Sequence, residues 1–234
     1  MLLRLTVKGQ LRVQKLAGSL HIVRDQAQPY GVEVPGLGLR VPVVQLILLA
    51  PDCIVARRLA QAGLLAIAPD ALSASGGTPQ DEDLARKLIG ELDREAALGV
   101  YLAAVRYSAK HRHGTGKVGC VGFCWGGGMA GRLAANSPEL TAAVVFYGMP
   151  PAADEAARVH APLLLNYAGL DTRINEAVPA FEAALRNAGR RYELYRYADV
   201  DHAFHNDTNA ARYNAEAAAL AWNRTVEFLS RELR

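Results

Sequence analysis

The sequence predicts a three-layer α/β fold, with a mainly parallel sheet covered by helices on both faces. Three observations lead there. From Val43 onward, short apolar runs alternate with segments of helical periodicity. Those runs are continuously apolar, as in strands buried on both faces. A glycine cluster at 126–128 then joins one such run, Val118 to Phe123, to an Ala/Leu-rich segment that stops at Asn136-Ser137-Pro138, the pattern of strand, sharp turn and helix.

In chain order, Leu2 to Val7 and Leu11 to Val13 read as short peripheral strands, followed by a loop holding Pro29, Gly31, Pro35, Gly36 and Gly38. Val41 to Ala50 is the longest apolar stretch and reads as a buried strand, centred on Val43 to Leu49. A helix over Ile54 to Ala62 closes at Gly63, and a strand over Leu64 to Ala68 ends at Pro69-Asp70. The loop Gly76-Gly77-Thr78-Pro79 leads to Asp81-Glu82-Asp83, whose carboxylates suit a helix N-terminus; helical periodicity then runs, with a break, to about Lys110. Beyond the glycine turn, strands are expected at Ala142 to Tyr147, Pro162 to Tyr167 and Tyr192 to Tyr197, with helices at Ala177 to Ala188 and from about Ala210 to Leu233.

The chain has 234 residues, 51% hydrophobic and 21% charged, enough to bury a full core in one domain spanning 1–234. Its formal net charge of +3 is scattered rather than gathered into basic blocks with interleaved aromatics, which argues against a nucleic-acid surface. Charge interrupts the first residues too soon for a signal-peptide core, and no run reaches membrane-span length. Three cysteines, Cys53, Cys120 and Cys124, are an odd number in a chain this long, so a free thiol and a cytoplasmic setting are expected.

Cys124 stands at the turn. In Gly122-x-Cys124-x-Gly126 the bend forces the central residue into a strained backbone, and flanking glycines let strand and helix approach. The thiol then sits at a helix N-terminus, where unpaired N–H groups and the helix dipole favour the thiolate. The competing reading is a buried structural cysteine beside a flexible glycine loop. Two nucleotide motifs fall away: the glycines lack the G-x-G-x-x-G register, and Gly116-Lys117 is followed by Val118 rather than Ser or Thr. A redox pair with Cys120 is disfavoured, because residues four apart along a strand are too distant for a disulfide.

Parallel sheets bind ligands at the carboxyl ends of their strands. Cys124 follows one strand, Asp171 lies in the loop after another, and His202 follows a third, in the order nucleophile, acid, histidine of an α/β-hydrolase triad. Each has an alternative. Asp171 is also placed to cap the next helix, His205 to replace His202 as proton carrier, and Asp199 and Asp201 to be solvated loop charges. His111-x-His113 lies past a helix end without partnering ligands and reads as exposed.

The words Gly119-Cys120-Val121-Gly122-Phe123-Cys124-Trp125-Gly126-Gly127, Tyr167-Ala168-Gly169-Leu170-Asp171 and His202-Ala203-Phe204-His205-Asn206-Asp207 resemble the dienelactone hydrolase (carboxymethylenebutenolidase) family, as do Pro69-Asp70 and Gly76-Gly77-Thr78-Pro79. The resemblance runs from about Val55 to the C-terminus, with residues 1–54 divergent. It implies an α/β-hydrolase fold and cleavage of a small ester or lactone; no cofactor or metal is expected, and charge and hydropathy lead to the expectation of no nucleic-acid or membrane partner. Cys124 would attack the carbonyl, His202 carry the proton, Asp171 orient the imidazole and the Trp125 N–H receive the oxyanion, giving a thioester that water resolves. The family places a longer, acid-bearing loop, with a second oxyanion donor, where this chain has Pro51-Asp52-Cys53, and it grips a substrate carboxylate with arginines, one at the position of Asn206. Asp52, Arg86, Tyr147 and Asn206 are the further candidates for the substrate site. An impaired hydrolase-fold protein with a binding role, or none, is the second reading, because Pro51 lacks an N–H.

Overall fold

A computed structural model describes residues 2–5, 14–16, 19–21, 41–47, 53–72, 76–79 and 81–234. The expected mainly parallel sheet flanked by helices is present, and the chain divides into two compact units, Met1–Gly116 and Lys117–Arg234.

In the first unit, β1 (Leu2–Leu5) and β4 (Val41–Ile47) both pair in parallel with β5 (Leu65–Pro69), Leu3 opposite Ile67 and Val44 opposite Ala66. β2 (Gln14–Leu16) and β3 (Ser19–His21) form a separate antiparallel pair. The expected piece Leu11 to Val13 and the Pro/Gly loop before Val41 lie outside the described residues. Helix α1 (Cys53–Gln61) packs on β5 and ends, as expected, at Gly63, whose φ of 84° is costly for a residue with a Cβ.

Asp81 caps α2 (Glu82–Gly90) by accepting from Leu84 N at 2.8 Å, which fulfils the acidic N-terminus read from the sequence. The break expected in the following helix falls at Asp93, which caps α3 (Arg94–Ala109) through Ala96 N at 2.7 Å. Ala97, Leu98, Tyr101, Ala104, Val105 and Ser108 form the buried stripe of α3, an amphipathic spacing, and α3 packs on β4 and β5. His111 and His113 are half-buried rather than exposed, with ring centroids 5.7 Å apart.

The second unit is built on four parallel strands in the order β6 (Gly114–Phe123), β7 (Ala142–Phe146), β8 (Leu163–Ala168) and β9 (Tyr192–Tyr197). β7 and β8 are buried along their whole length. β6 begins four residues before Val118, because its opening residues Thr115, Gly116 and Lys117 are exposed and carry no apolar signal. Helix α4 (Trp125–Asn136) packs on β7 and on the short α5 (Ala153–Ala157). One-turn α6 (Thr172–Asn175) precedes α7 (Val178–Asn187). Helix α8 (Ala215–Glu232) packs on β7 and β8; it starts at Ala215 rather than about Ala210 because Asn214 accepts from Ala217 N at 2.9 Å and sets the cap. Among the described residues no helix is long and apolar enough to cross a membrane.

Candidate active site

Cys124 is the hinge between β6 and α4, and its backbone is strained, with φ 54° and ψ −118°. The glycines explain how that strain is held. A Cβ on Gly122 would lie 2.0 Å from Gly126 O, and one on Gly127 would lie 2.6 Å from Phe146 O. Only bare backbone allows the first turn of α4 to sit so close to β6 and β7. Cys124 N donates to Phe146 O at 3.0 Å, fixing the bend from the other side. The thiol is left half-buried at the start of the helix.

His202 reaches this thiol. Its Nε2 lies 3.2 Å from Cys124 Sγ and its Nδ1 lies 2.6 Å from Asp171 Oδ2. Asp171 is buried in the loop after β8 and follows both readings open in the sequence: Oδ2 faces the imidazole, while Oδ1 accepts from Ile174 N at 3.3 Å and caps α6.

Electrostatics couple the thiol and the imidazole. Burial pushes the Cys124 thiol up, but the hydrogen bond and charge of His202, the Trp125 N–H and the Arg173 guanidinium outweigh it, and the thiol titrates below its ordinary value. The hydrogen bond to Cys124 raises His202, burial opposes this, and Asp171 adds to the rise. Both shifts favour a thiolate beside an imidazolium. Cys120 behaves oppositely: it is fully buried inside β6, and burial pushes its thiol up.

Tyr147 follows β7 with φ 40° and is buried; its ring meets that of His202 edge-on at 5.0 Å, and its N donates to Asn166 O at 2.8 Å. His205 does not share the position of His202. It is buried in an aromatic box, its ring 5.3 Å from Phe123, 5.2 Å from Phe146 and 6.0 Å from Trp222. Asp199 and Asp201 are exposed. Asn206 is exposed too, its Oδ1 accepting from Thr208 N and Oγ1. Arg86 lies on α2 in the first unit, exposed and ion-paired with Asp83. Asp52 lies outside the described residues.

Sequence reasoning did not single out Arg173, whose charge acts on Cys124 from the second position of α6. It also left Asp70 without a task. The buried Asp70 carboxylate accepts from Leu72 N at 3.0 Å, Thr78 N at 3.1 Å and Thr78 Oγ1 at 2.8 Å, fastening the Gly-Gly-Thr-Pro loop. The co-occurrence of Pro69-Asp70 and Gly76-Gly77-Thr78-Pro79 was the available signal.

Comparison with known proteins finds relatives over most of the chain. The model of the dienelactone hydrolase family matches residues 49–233, beginning six residues before Val55, where the resemblance in the sequence starts. A Pseudomonas putida carboxymethylenebutenolidase is 34% identical over 181 residues, 72% of this chain and 74% of that protein. A Yersinia pestis protein provisionally named carboxymethylenebutenolidase is 34% identical over 192 residues, 75% of this chain and 71% of that protein. The crystal structure of a Klebsiella pneumoniae protein, provisionally named dienelactone hydrolase, superposes with a TM-score of 0.74 at 29% identity, covering 84% of this chain and 89% of that one. With a family match running through nearly the whole second unit and much of the first, and with relatives that align over most of their own length, the chain belongs to the dienelactone hydrolase family of α/β-hydrolases.

Proposed function

We propose that this protein hydrolyses a small ester or lactone by covalent catalysis at Cys124. The observation that carries the reading is His202, which stands between Cys124 Sγ at 3.2 Å and Asp171 Oδ2 at 2.6 Å. The thiolate attacks the carbonyl carbon, and the carbonyl π electrons move to oxygen, where the Trp125 N–H receives the charge. As the tetrahedral species collapses, the imidazolium of His202 gives its proton to the departing alkoxide and a thioester remains. His202 then takes a proton from water, the hydroxide adds to the thioester, and the acid departs as the thiolate is restored. Asp171 keeps the imidazole in the tautomer and orientation that both halves require. Names of the relatives support a lactone or enol ester as substrate class.

The test uses p-nitrophenyl acetate and a small unsaturated lactone with the wild-type chain and Cys124→Ala. Wild-type protein should release p-nitrophenol and, when quenched during turnover, carry one acetyl group on the peptide containing Cys124. Hydrolysis by the alanine variant at the wild-type rate would overturn the assignment.

A further inference from the structure

Hydrogen bonds at both ring nitrogens fix where the ends of the His202 imidazole lie, but not the tilt of its plane or the course of the loop that carries it. Aromatic rings supply those constraints. Tyr147 meets the imidazole edge-on at 5.0 Å. Phe204, two residues after His202 and beyond Ala203 with its φ of 68°, is fully buried, 5.5 Å from the Tyr147 ring and 5.0 Å from the Tyr197 ring. Both supports lead back to Asn166 of β8.

Asn166 is a fully buried amide in a strand whose other side chains are Leu163, Leu164, Leu165, Tyr167 and Ala168, and it lies between Phe146 of β7 and Tyr195 of β9. Its O accepts from Tyr147 N at 2.8 Å, pinning a tyrosine whose φ of 40° is strained for a side chain of that bulk. Its Oδ1 accepts from the Tyr197 hydroxyl at 2.9 Å, which sets the ring that packs on Phe204. Arg224 of α8 lies over the Tyr195 ring at 3.8 Å and the Tyr197 ring at 5.4 Å, so this end of β9 is also held from the helix. Asn166 Nδ2 is buried and has no hydrogen-bond partner among the described residues. An amide here costs desolvation that a leucine would not, and one left half-satisfied costs more. Packing gives no reason for it, whereas the tie to Tyr197 does.

We propose that Asn166 is a positioning residue for the His202 imidazole: its main-chain O, through Tyr147, sets the tilt of the ring, and its Oδ1, through Tyr197 and Phe204, sets the loop that carries it. The proposal deepens the hydrolase reading and rests on His202 as the proton carrier for Cys124. The Asn166 side chain bonds Tyr197 and no member of the triad, so it acts only through these neighbours.

The test removes the side-chain tie from either end. Asn166→Leu replaces the amide with an apolar group of similar size, Tyr197→Phe deletes the hydroxyl and keeps the ring against Phe204, and a double variant combines them. Each is measured for p-nitrophenyl acetate kinetics, for the pH midpoint of Cys124 alkylation by iodoacetamide, and for thermal unfolding. Each single variant should lose kcat on the order of tenfold while KM changes less than about threefold. The alkylation midpoint should move to higher pH, because a displaced imidazole supports the thiolate less. The double variant should lose no more than the worse single one, since the same hydrogen bond is absent from all three. Should Asn166→Leu fail to fold, Tyr197→Phe carries the kinetic and alkylation tests alone. A lowered melting temperature with kcat and the alkylation midpoint at wild-type values would make the tie structural only, and losses that add in the double variant would uncouple Asn166 from Tyr197. Either result overturns the proposal and leaves Cys124 and His202 in their roles. Ester turnover that survives Cys124→Ala overturns the hydrolase reading itself, and the alkylation midpoints then still show whether Asn166 holds the imidazole at the thiol.

Discussion

Asp171 holds His202 with one carboxylate oxygen and a helix with the other: Oδ2 lies 2.6 Å from His202 Nδ1 while Oδ1 accepts from Ile174 N at 3.3 Å. The two duties separate by substitution. Asn caps a helix about as well as Asp but presents no charge to an imidazolium. Asp171→Asn should therefore keep its thermal midpoint near wild type and lose ester turnover on the order of 10⁴. Asp171→Ala should lose turnover comparably and also about 1 kcal/mol of stability. Thermal unfolding and p-nitrophenyl acetate kinetics on both variants check this, and full activity in Asp171→Asn would contradict it.

His202 and His205 lie three residues apart and do different work. His202→Ala removes the only imidazole bonded to Cys124 among the described residues and should abolish hydrolysis. His205→Phe replaces one ring in a box of Phe123, Phe146 and Trp222, so turnover should change less than about tenfold while the melting temperature shifts. Loss of activity only in the His205 variant would reverse the assignment.

The lowered thiol value has a pH signature. Thiolate is lost by protonation as pH falls through the thiol pKa, so a depressed pKa moves the half-maximal alkylation rate of Cys124 to lower pH than the ordinary value of about 8.5. His202→Ala removes the largest influence opposing burial, and the midpoint should move upward. Iodoacetamide rates across the pH range, read at the Cys124 peptide, test both directions. Cys120, fully buried, should stay unlabelled until the protein unfolds.

The parts of the site legible in the sequence are those that sterics or topology dictate. Gly122 had to stand two residues before Cys124, because a Cβ on Gly122 would meet Gly126 O at 2.0 Å. Cys124, Asp171 and His202 were expected together because all three follow parallel strands, and the structure brings them within hydrogen-bonding distance. Features that depend on a partner in space were not legible. Arg86, chosen for its place after the glycine loop, is paired with Asp83 three residues earlier on the same helix. The four residues of α6 are too few to show a helical period, and the exposed opening of β6 hid its first residues.

Asp70 illustrates a structural debt to the same loop words. Among the described residues its carboxylate accepts from Leu72 N and from Thr78 N and Oγ1. Asp70→Ala would leave those donors without their acceptor and should lower stability by about 3 kcal/mol. Urea denaturation is the measurement, and limited proteolysis should then cut near Gly76-Gly77. A variant as stable as wild type would mean that other acceptors take over these donors.

Thiol reactivity and ester turnover are expected to part company in this chain. Alkylation requires only a thiolate that the reagent can reach; Cys124 is half-buried, and His202 and the helix start favour its thiolate. Acyl transfer also requires donors fixed in advance for the oxyanion, and loss of one such donor in other enzymes costs about 10² to 10³ in turnover. The resemblance implies a second donor from the segment before α1, where this sequence reads Pro51-Asp52-Cys53 and the proline has no N–H to give. Iodoacetamide should accordingly label Cys124 readily while p-nitrophenyl acetate is turned over slowly. Replacing residues 51–53 with a longer loop bearing a glutamate should raise kcat on the order of 10² without changing the alkylation rate by a similar factor. Fast hydrolysis by the unaltered chain would show that the N–H of Asp52 or Cys53 already serves the oxyanion, and the longer loop would then bring no gain.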